Sequence, residues 1–306
     1  MGLFTQLVVL GLPFLPRSAV WVVARNYVAG SELEDALERV ASFRADGFGT
    51  ILDVLGEGEG SRDAAKAAAA EYERAIAALS GVDPEAPVSV KPTHLGLLID
   101  RDLCRGLLAD LCLQAAEAGR RVRFEMEDAP TIDETLAVFS SLRGDHSNLG
   151  CVLQARLFRT EADVRRLLAD GPDLDVRLVK GIYLEPASIA WTEDSDITRS
   201  YAELAGLLVE GNARVAFATH DDVLADHCAE LVSQAGWTAA AVGERRYEFQ
   251  LLMGVRRREA DRLLAAGHRV RIYVPYGSDW HQYSLRRLKH NPQVATHVIR
   301  AFFGRR

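Results

Sequence analysis

Eight short apolar, β-branched runs recur along the chain, each bounded by turn residues, and this recurrence constrains the fold more than any other feature. They are TILDVL (50–55), VSVKP (88–92), VRFEME (122–127), CVLQA (151–155), VRLVKG (176–181), RVAFAT (214–219), YEFQLL (247–252) and RVRIYVP (269–275). Helical periodicity fills the intervals, as in RDAAKAAAAEYERAIAAL (62–79), CRGLLADLCLQAAEAG (104–119), TIDETLAVFSSLR (131–143) and EADVRRLLAD (161–170). Parallel strands require such crossovers, and strands covered on both faces read as nearly continuous apolar runs. Eight units within about 260 residues match an α/β chain folded as a (β/α)8, TIM-type barrel better than an open doubly wound sheet.

The remaining sequence fits one barrel domain, residues 46–306, behind an N-terminal helical segment, residues 1–45. ELEDALERVASFRADG is amphipathic, ends at Gly47, and is expected to cap the N-terminal side of the barrel. The first twenty residues are apolar, but no basic stretch precedes them and Pro13 and Pro16 interrupt them. They read as a buried or surface-docked helix rather than a targeting or spanning segment, with interfacial membrane contact as the second reading. The 36 basic and 43 acidic residues give a net charge of -7, which argues against a nucleic-acid partner. Cys104, Cys112, Cys151 and Cys228 show no metal-ligand or disulfide spacing, so no metal site is expected and a reducing cytoplasm suits the chain.

A barrel of this kind keeps its site at the C-terminal ends of the strands, where Asp53, Lys91, Glu125, Glu127, Gln154, Lys180, Thr219, His220, Gln250 and Tyr273 all fall. Lys91, Lys180 and Gln154 are expected to converge on one mouth. In RIYVPYGSDWHQYSLRRLKHNP (271–292), Gly277 permits a sharp turn and Ser278 is expected to N-cap a helix running to Asn291. Tyr283, Arg286, Arg287 and His290 then share one helical face, and adjacent arginines can fork onto one carboxylate. In VRLVKGIYLEP (176–186), Arg177 and Val179 share a strand face while Lys180 faces away. A buried arginine needs an anion or strong acceptor, which a reduced flavin or an acidic neighbour would supply. Neither GxGxxG, GxxxxGK[ST], HExxH nor GxSxG occurs, so a Rossmann site, a P-loop, a zinc hydrolase and an acyl-transfer serine are not supported.

VRLVKGIY, ATHD, EFQLLMGV and RIYVPYGSDWHQYSLRRLKHNP together resemble the proline dehydrogenase family, in order and spacing, from TILDVLGEGEG to the end of the chain. The resemblance implies a barrel that binds FAD without a Rossmann fold, oxidises L-proline to Δ1-pyrroline-5-carboxylate and passes electrons to a quinone. It implies a cytoplasmic location, with peripheral contact at the inner face of the membrane, and a separate pyrroline-5-carboxylate dehydrogenase as a partner. Lys91, Arg286 and Arg287 would hold the proline carboxylate, and Tyr273 and Tyr283 would close around the ring. Arg177 would sit near the flavin N5. Met126, Gln154, Val179, Lys180, Gly181, Thr219 and His220 match cofactor-lining positions.

Two departures from the family pattern stand out. Glu125 takes the place of the usual aspartate, and His290 that of a glutamate expected to pair with the arginines, so that Glu127 or Asp279 would have to substitute. Outside this family, a Schiff-base lyase using Lys91 or Lys180, or a barrel retained only for binding, fits the same strand pattern.

Overall fold

The computed structural model describes residues 17–56, 58, 60–171, 173–237 and 246–290, the side chains of 19, 23 and 286–290 excepted. Eight parallel strands close into a barrel in sequence order. They are β1 (Gly49–Val54), β2 (Val88–Val90), β3 (Val122–Phe124), β4 (Leu149–Gln154), β5 (Asp175–Val179), β6 (Arg214–Ala218), β7 (Tyr247–Leu252) and β8 (Val270–Tyr276). Closure is made by β1 on β8, in register from Gly49↔Arg271 to Val54↔Tyr276. Every expected run is a strand, although β2 and β3 are shorter than their apolar patterns. Pro92, which has no N–H to give a ladder, opens a 3-10 turn directly after Lys91.

Helices α3 (Arg62–Ala78), α4 (Arg101–Glu117), α5 (Ile132–Arg143), α6 (Thr160–Ala169), α7 (Asp194–Glu210), α8 (Asp222–Gln234) and α9 (Arg257–Ala265) are the crossovers. Side-chain caps start several of them: Ser61 accepts from Ala64 N at 3.1 Å and Asp100 from Leu103 N at 3.0 Å. Outward strand residues such as Leu52, Val88, Phe124, Leu178 and Phe217 pack with these helices into one core. Within it, the fully buried Arg120 donates to the carbonyls of Ile76, Asp83 and Ala86 at 3.1, 2.8 and 3.2 Å, and to Ser80 Oγ at 2.9 Å. It thereby joins the end of α3 to the start of β2. Arg120→Met is expected to lower stability by about 3 kcal/mol, because it leaves buried carbonyls without donors. Denaturant titration followed by circular dichroism checks this, and a loss under about 1 kcal/mol would contradict it.

The N-terminal segment departs from expectation. Helix α2 (Leu33–Ala45) does not cap the N-terminal end; it packs along β1 and β8, in the place in the helical ring after the last strand. A helix that lies on the wall just before β1 must run antiparallel to the strands, so the residues before it emerge at the opposite, C-terminal end. Ala29 N there donates to Pro275 O at 2.8 Å, and Gly277 N to Gly30 O at 3.1 Å. Helix α1 (Arg17–Ala24) therefore lies on the mouth side, where Trp21 meets Trp280 edge-on at 4.8 Å. Helix α10 (Trp280–His290) packs against α1 and starts two residues after Ser278. Gly277, at φ 135°, makes the turn, and the Asp279 carbonyl accepts from Tyr283 N at 3.1 Å. The expected end at Asn291 lies outside the described residues, as do residues 1–16; among the described residues no helix is long and apolar enough to cross a membrane.

Candidate active site

The inside of the barrel is charged, whereas barrels of this architecture usually fill it with branched apolar side chains. Inward positions form two ionic tiers. At the floor, Asp175 meets Arg121 at 2.5 Å and Arg123 at 2.6 Å, and Glu248 meets Arg271 at 2.8 Å and Arg269 at 3.3 Å. At the mouth, Lys91 Nζ donates to Asp53 Oδ1 at 2.7 Å and to Val54 O at 3.4 Å. Across from them, Arg177 Nη1 donates to Glu125 Oε1, Nη2 to Ser89 Oγ at 3.1 Å and Nε to Gln250 Oε1 at 2.5 Å. The guanidinium also lies 5.0 Å from the centre of the Tyr273 ring, and Tyr273 Oη donates to Glu125 Oε1 at 3.1 Å.

Burial and partners set the charges. Burial would pull the Lys91 ammonium down, but the Asp53 carboxylate, with Tyr72 and Glu125, more than reverses this and holds it above the ordinary lysine range. Asp53 itself is raised, because burial outweighs the pull of Lys91. Burial also pushes Glu125 up, yet the Arg177 guanidinium, helped by the Ser89 hydroxyl, brings it below the usual carboxylate range. Burial and the Asp53 and Glu125 carboxylates lift the Tyr273 phenol well above its ordinary value, so it stays a donor.

Asp175 and Glu248 are likewise depressed, Asp175 chiefly by Arg123 and Glu248 chiefly by Arg271, each against burial. A carboxyl with a depressed folded-state value stabilises the fold above its unfolded value and loses that contribution as pH falls. Stability is therefore expected to be level above about pH 5 and to drop below about pH 4. Raised Asp53 works in the opposite sense, which makes Glu125→Gln the cleaner probe. Its denaturation free energy should fall less steeply between neutral and acid pH than that of wild type; equal slopes would contradict the assignment.

The structure brings together Lys91, Glu125, Arg177 and Tyr273 from the residues expected at the site, and Gln154, Val179 and Gly181 beside them. Arg177 has an anion already, Glu125. Gln154 Nε2 donates to Glu127 O at 2.7 Å, while its Oε1 is buried with no hydrogen-bond partner. Gly181 has φ 98°, and a Cβ there would lie 2.8 Å from that oxygen. Next to Arg177 and Val179, β6 presents only Ala216 and Ala218. The result is bare backbone and small side chains beside a free acceptor.

Lys180 does not converge on the mouth. With Arg177 and Val179 inward, alternation turns it outward, to Asp194 at 3.2 Å, Thr198 at 2.8 Å and Asp221 at 3.1 Å. Asp221 also caps α8, accepting from Val223 N at 3.1 Å. Thr219 Oγ1 accepts from Asp221 N at 3.1 Å, and His220 Nε2 accepts from Leu252 N at 3.0 Å, which places the proton of a neutral His220 on Nδ1. Met126 is buried just past β3. Glu127, one of two acids expected to stand in near the arginines, accepts from Thr93 Oγ1 at 2.8 Å. Tyr283, Arg286, Arg287 and His290 share α10, but the side chains of the last three lie outside the described residues.

Asp53, Ser89 and Gln250 are central to the site without being among the residues the family resemblance singles out. Strand parity is their signal: Ser89 sits two residues before Lys91, and Gln250 two residues after Glu248 on the same strand face.

The proline dehydrogenase family profile matches residues 36–300. The chain is 33% identical to "Proline dehydrogenase" of Deinococcus radiodurans over 290 residues, covering 93% of this chain and 91% of that one. It is also 33% identical to "Proline dehydrogenase 2" of Bacillus subtilis over 284 residues, covering 92% and 90%. The solved proline utilization A (PutA) of Bdellovibrio bacteriovorus, inactivated by N-propargylglycine, superposes with a TM-score of 0.80 at 23% identity. That match covers 93% of this chain and 34% of PutA, and carries the fold alone. With the barrel, the charged mouth and the sequence relatives in agreement, this chain belongs to the proline dehydrogenase family and is an oxidoreductase of that family.

Proposed function

We propose that this chain oxidises L-proline to Δ1-pyrroline-5-carboxylate with FAD as its cofactor, and that electrons leave to a quinone. The observation that carries the reading is the three-point hold on Arg177 beside the Lys91–Asp53 pair, at the mouth of a barrel from this family. The residues present fit a flavin: the unpartnered Gln154 oxygen matches a ring N–H, and Gly181, Ala216 and Ala218 leave room for a flat ring system. Gln154, Val179, Gly181, Thr219, His220 and Met126 would hold it, with Lys180 steadying the end of β5 from outside. When bound, FAD supplies the acceptor for the hydride that leaves proline C5.

The protein's own part is binding, orientation and charge. Lys91 has donors committed to Asp53 and Val54 and presents its ammonium to the proline carboxylate, which Arg286 and Arg287 grip from α10. Tyr273 and Tyr283 enclose the ring. Arg177 keeps a fixed positive charge beside the reacting centre, its guanidinium pinned by Glu125, Ser89 and Gln250. Paired Lys91 contributes little net positive charge, so the bias toward a neutral proline amine falls to the two arginines of α10.

A Schiff-base lyase is disfavoured by the same geometry. A nucleophilic lysine needs a lowered proton affinity, and Asp53 raises that of Lys91. We place the reaction in the cytoplasm, with the quinone met at the inner face of the membrane and the product passed to a separate pyrroline-5-carboxylate dehydrogenase. Anaerobic titration of the purified protein with L-proline tests the reading. Stepwise loss of the yellow flavin absorbance is expected; a bound flavin that proline leaves oxidised would overturn it.

A further inference from the structure

Gln250 is a neutral link between the two ionic tiers. Its amide Nε2 donates to Glu248 Oε1 at 2.6 Å, and its Oε1 accepts from Arg177 Nε at 2.5 Å. Chemistry settles the orientation of the amide. An ionised carboxylate only accepts, so the NH2 must face Glu248 and the oxygen must face Arg177. Glu248 is in turn anchored by Arg271 and Arg269, and stays ionised because these two cations and the Gln250 hydrogen bond together outweigh its burial. Arg271 Nη1 is itself tied to Thr50 O at 3.0 Å on the closing strand pair. A chain of direct contacts therefore runs from the barrel floor to the guanidinium at the mouth.

We infer that Gln250 is a positioning residue for the oxidation: it holds Arg177 in the plane the reaction needs by keeping an oxygen on Nε. The inference rests on the proposed role of Arg177. Glu125 and Ser89 fix the two terminal nitrogens, but both approach from β2 and β3, on one side of the barrel. Gln250, on β7, supplies the opposing contact, so that without it the guanidinium can pivot about the Glu125 contact while remaining paired. Burial gives the Gln250 bond its leverage, since an Nε left without an acceptor at 4% exposure would drive the side chain to a new position.

The test compares Gln250→Met, nearly the same shape without hydrogen bonds, and Gln250→Glu, made on a Glu248→Gln background so that an oxygen returns to Nε and an amide NH2 still faces a carboxylate, with Arg177→Met and the Arg177→Met/Gln250→Met double variant. Steady-state proline oxidation, flavin content and thermal melting are read on each holoenzyme. Gln250→Met should lower kcat about tenfold or more while changing the KM for proline less than about threefold. Gln250→Glu should recover most of that kcat, and the double variant should be no worse than Arg177→Met alone. Unchanged kcat in Gln250→Met, additive losses in the double variant, or equal failure of Gln250→Met and Gln250→Glu would each overturn the inference while leaving the role of Arg177 intact. Full kcat in Arg177→Met would instead remove the reading on which it rests.

Discussion

Arg177→Met is expected to lower kcat/KM for proline by about 10²–10³, the usual loss when a fixed donor beside developing charge is removed. Methionine keeps much of the volume and discards the charge, so the effect is electrostatic more than steric. The variant also strands Glu125, whose carboxylate is brought below the usual range mainly by Arg177. Without that cation, burial pushes the Glu125 carboxyl back up and favours its protonated form. Stability should consequently fall as well, and Arg177→Met/Glu125→Gln should regain stability without regaining turnover. Steady-state kinetics and denaturant titration of the two variants check this. Turnover returning together with stability would show that Arg177 serves only the fold.

Lys91→Met is the second large effect, and it divides differently. The ammonium is expected to contact the proline carboxylate, so its loss should raise the KM for proline at least tenfold, with a smaller change in kcat. It also leaves Asp53, 1% exposed, without its cation, for which about 3 kcal/mol is a fair expectation. The pH dependence has a definite sign. Asp53 is already raised in the native protein, and in Lys91→Met it rises further. A carboxyl with a raised folded-state value favours the fold when protonated, so the variant should lose stability as pH increases from about 4 toward neutral. Lys91→Met/Asp53→Asn should remove that dependence and be more stable at pH 7 than Lys91→Met. A single variant as stable as the double at pH 7 would contradict the pairing.

The barrel is readable from the sequence because each strand and crossover carries its own local pattern. TILDVL and YEFQLL need no knowledge of one another to be strands. The pairings inside the barrel are a different matter. Arg177 finds Glu125, Ser89 and Gln250 across separations of 52, 88 and 73 residues, and such meetings depend on barrel stagger, which no local pattern encodes. Parity supplies half of the answer, and applied strictly it turns Lys180 outward, against its expected place at the mouth. Amphipathic periodicity likewise tells which face of Leu33–Ala45 is buried but not toward which end of the barrel the preceding chain leads. The family likeness leads to Lys91, Arg177 and Tyr273 but passes over Asp53 and Gln250, which hydrogen-bond to Lys91 and Arg177.

Because α2 fills the place in the ring after the last strand, α10 is released from the wall and leans on α1 instead, with Arg17 5.5 Å from the centre of the Trp280 ring. The helix bearing Arg286 and Arg287 thus joins the barrel at Gly277 and is braced by α1. Substrate capture and barrel integrity become separable properties of this enzyme. With Arg286 and Arg287 holding proline as proposed, damage to α1 is expected to weaken the grip on proline while the eight strands melt as before.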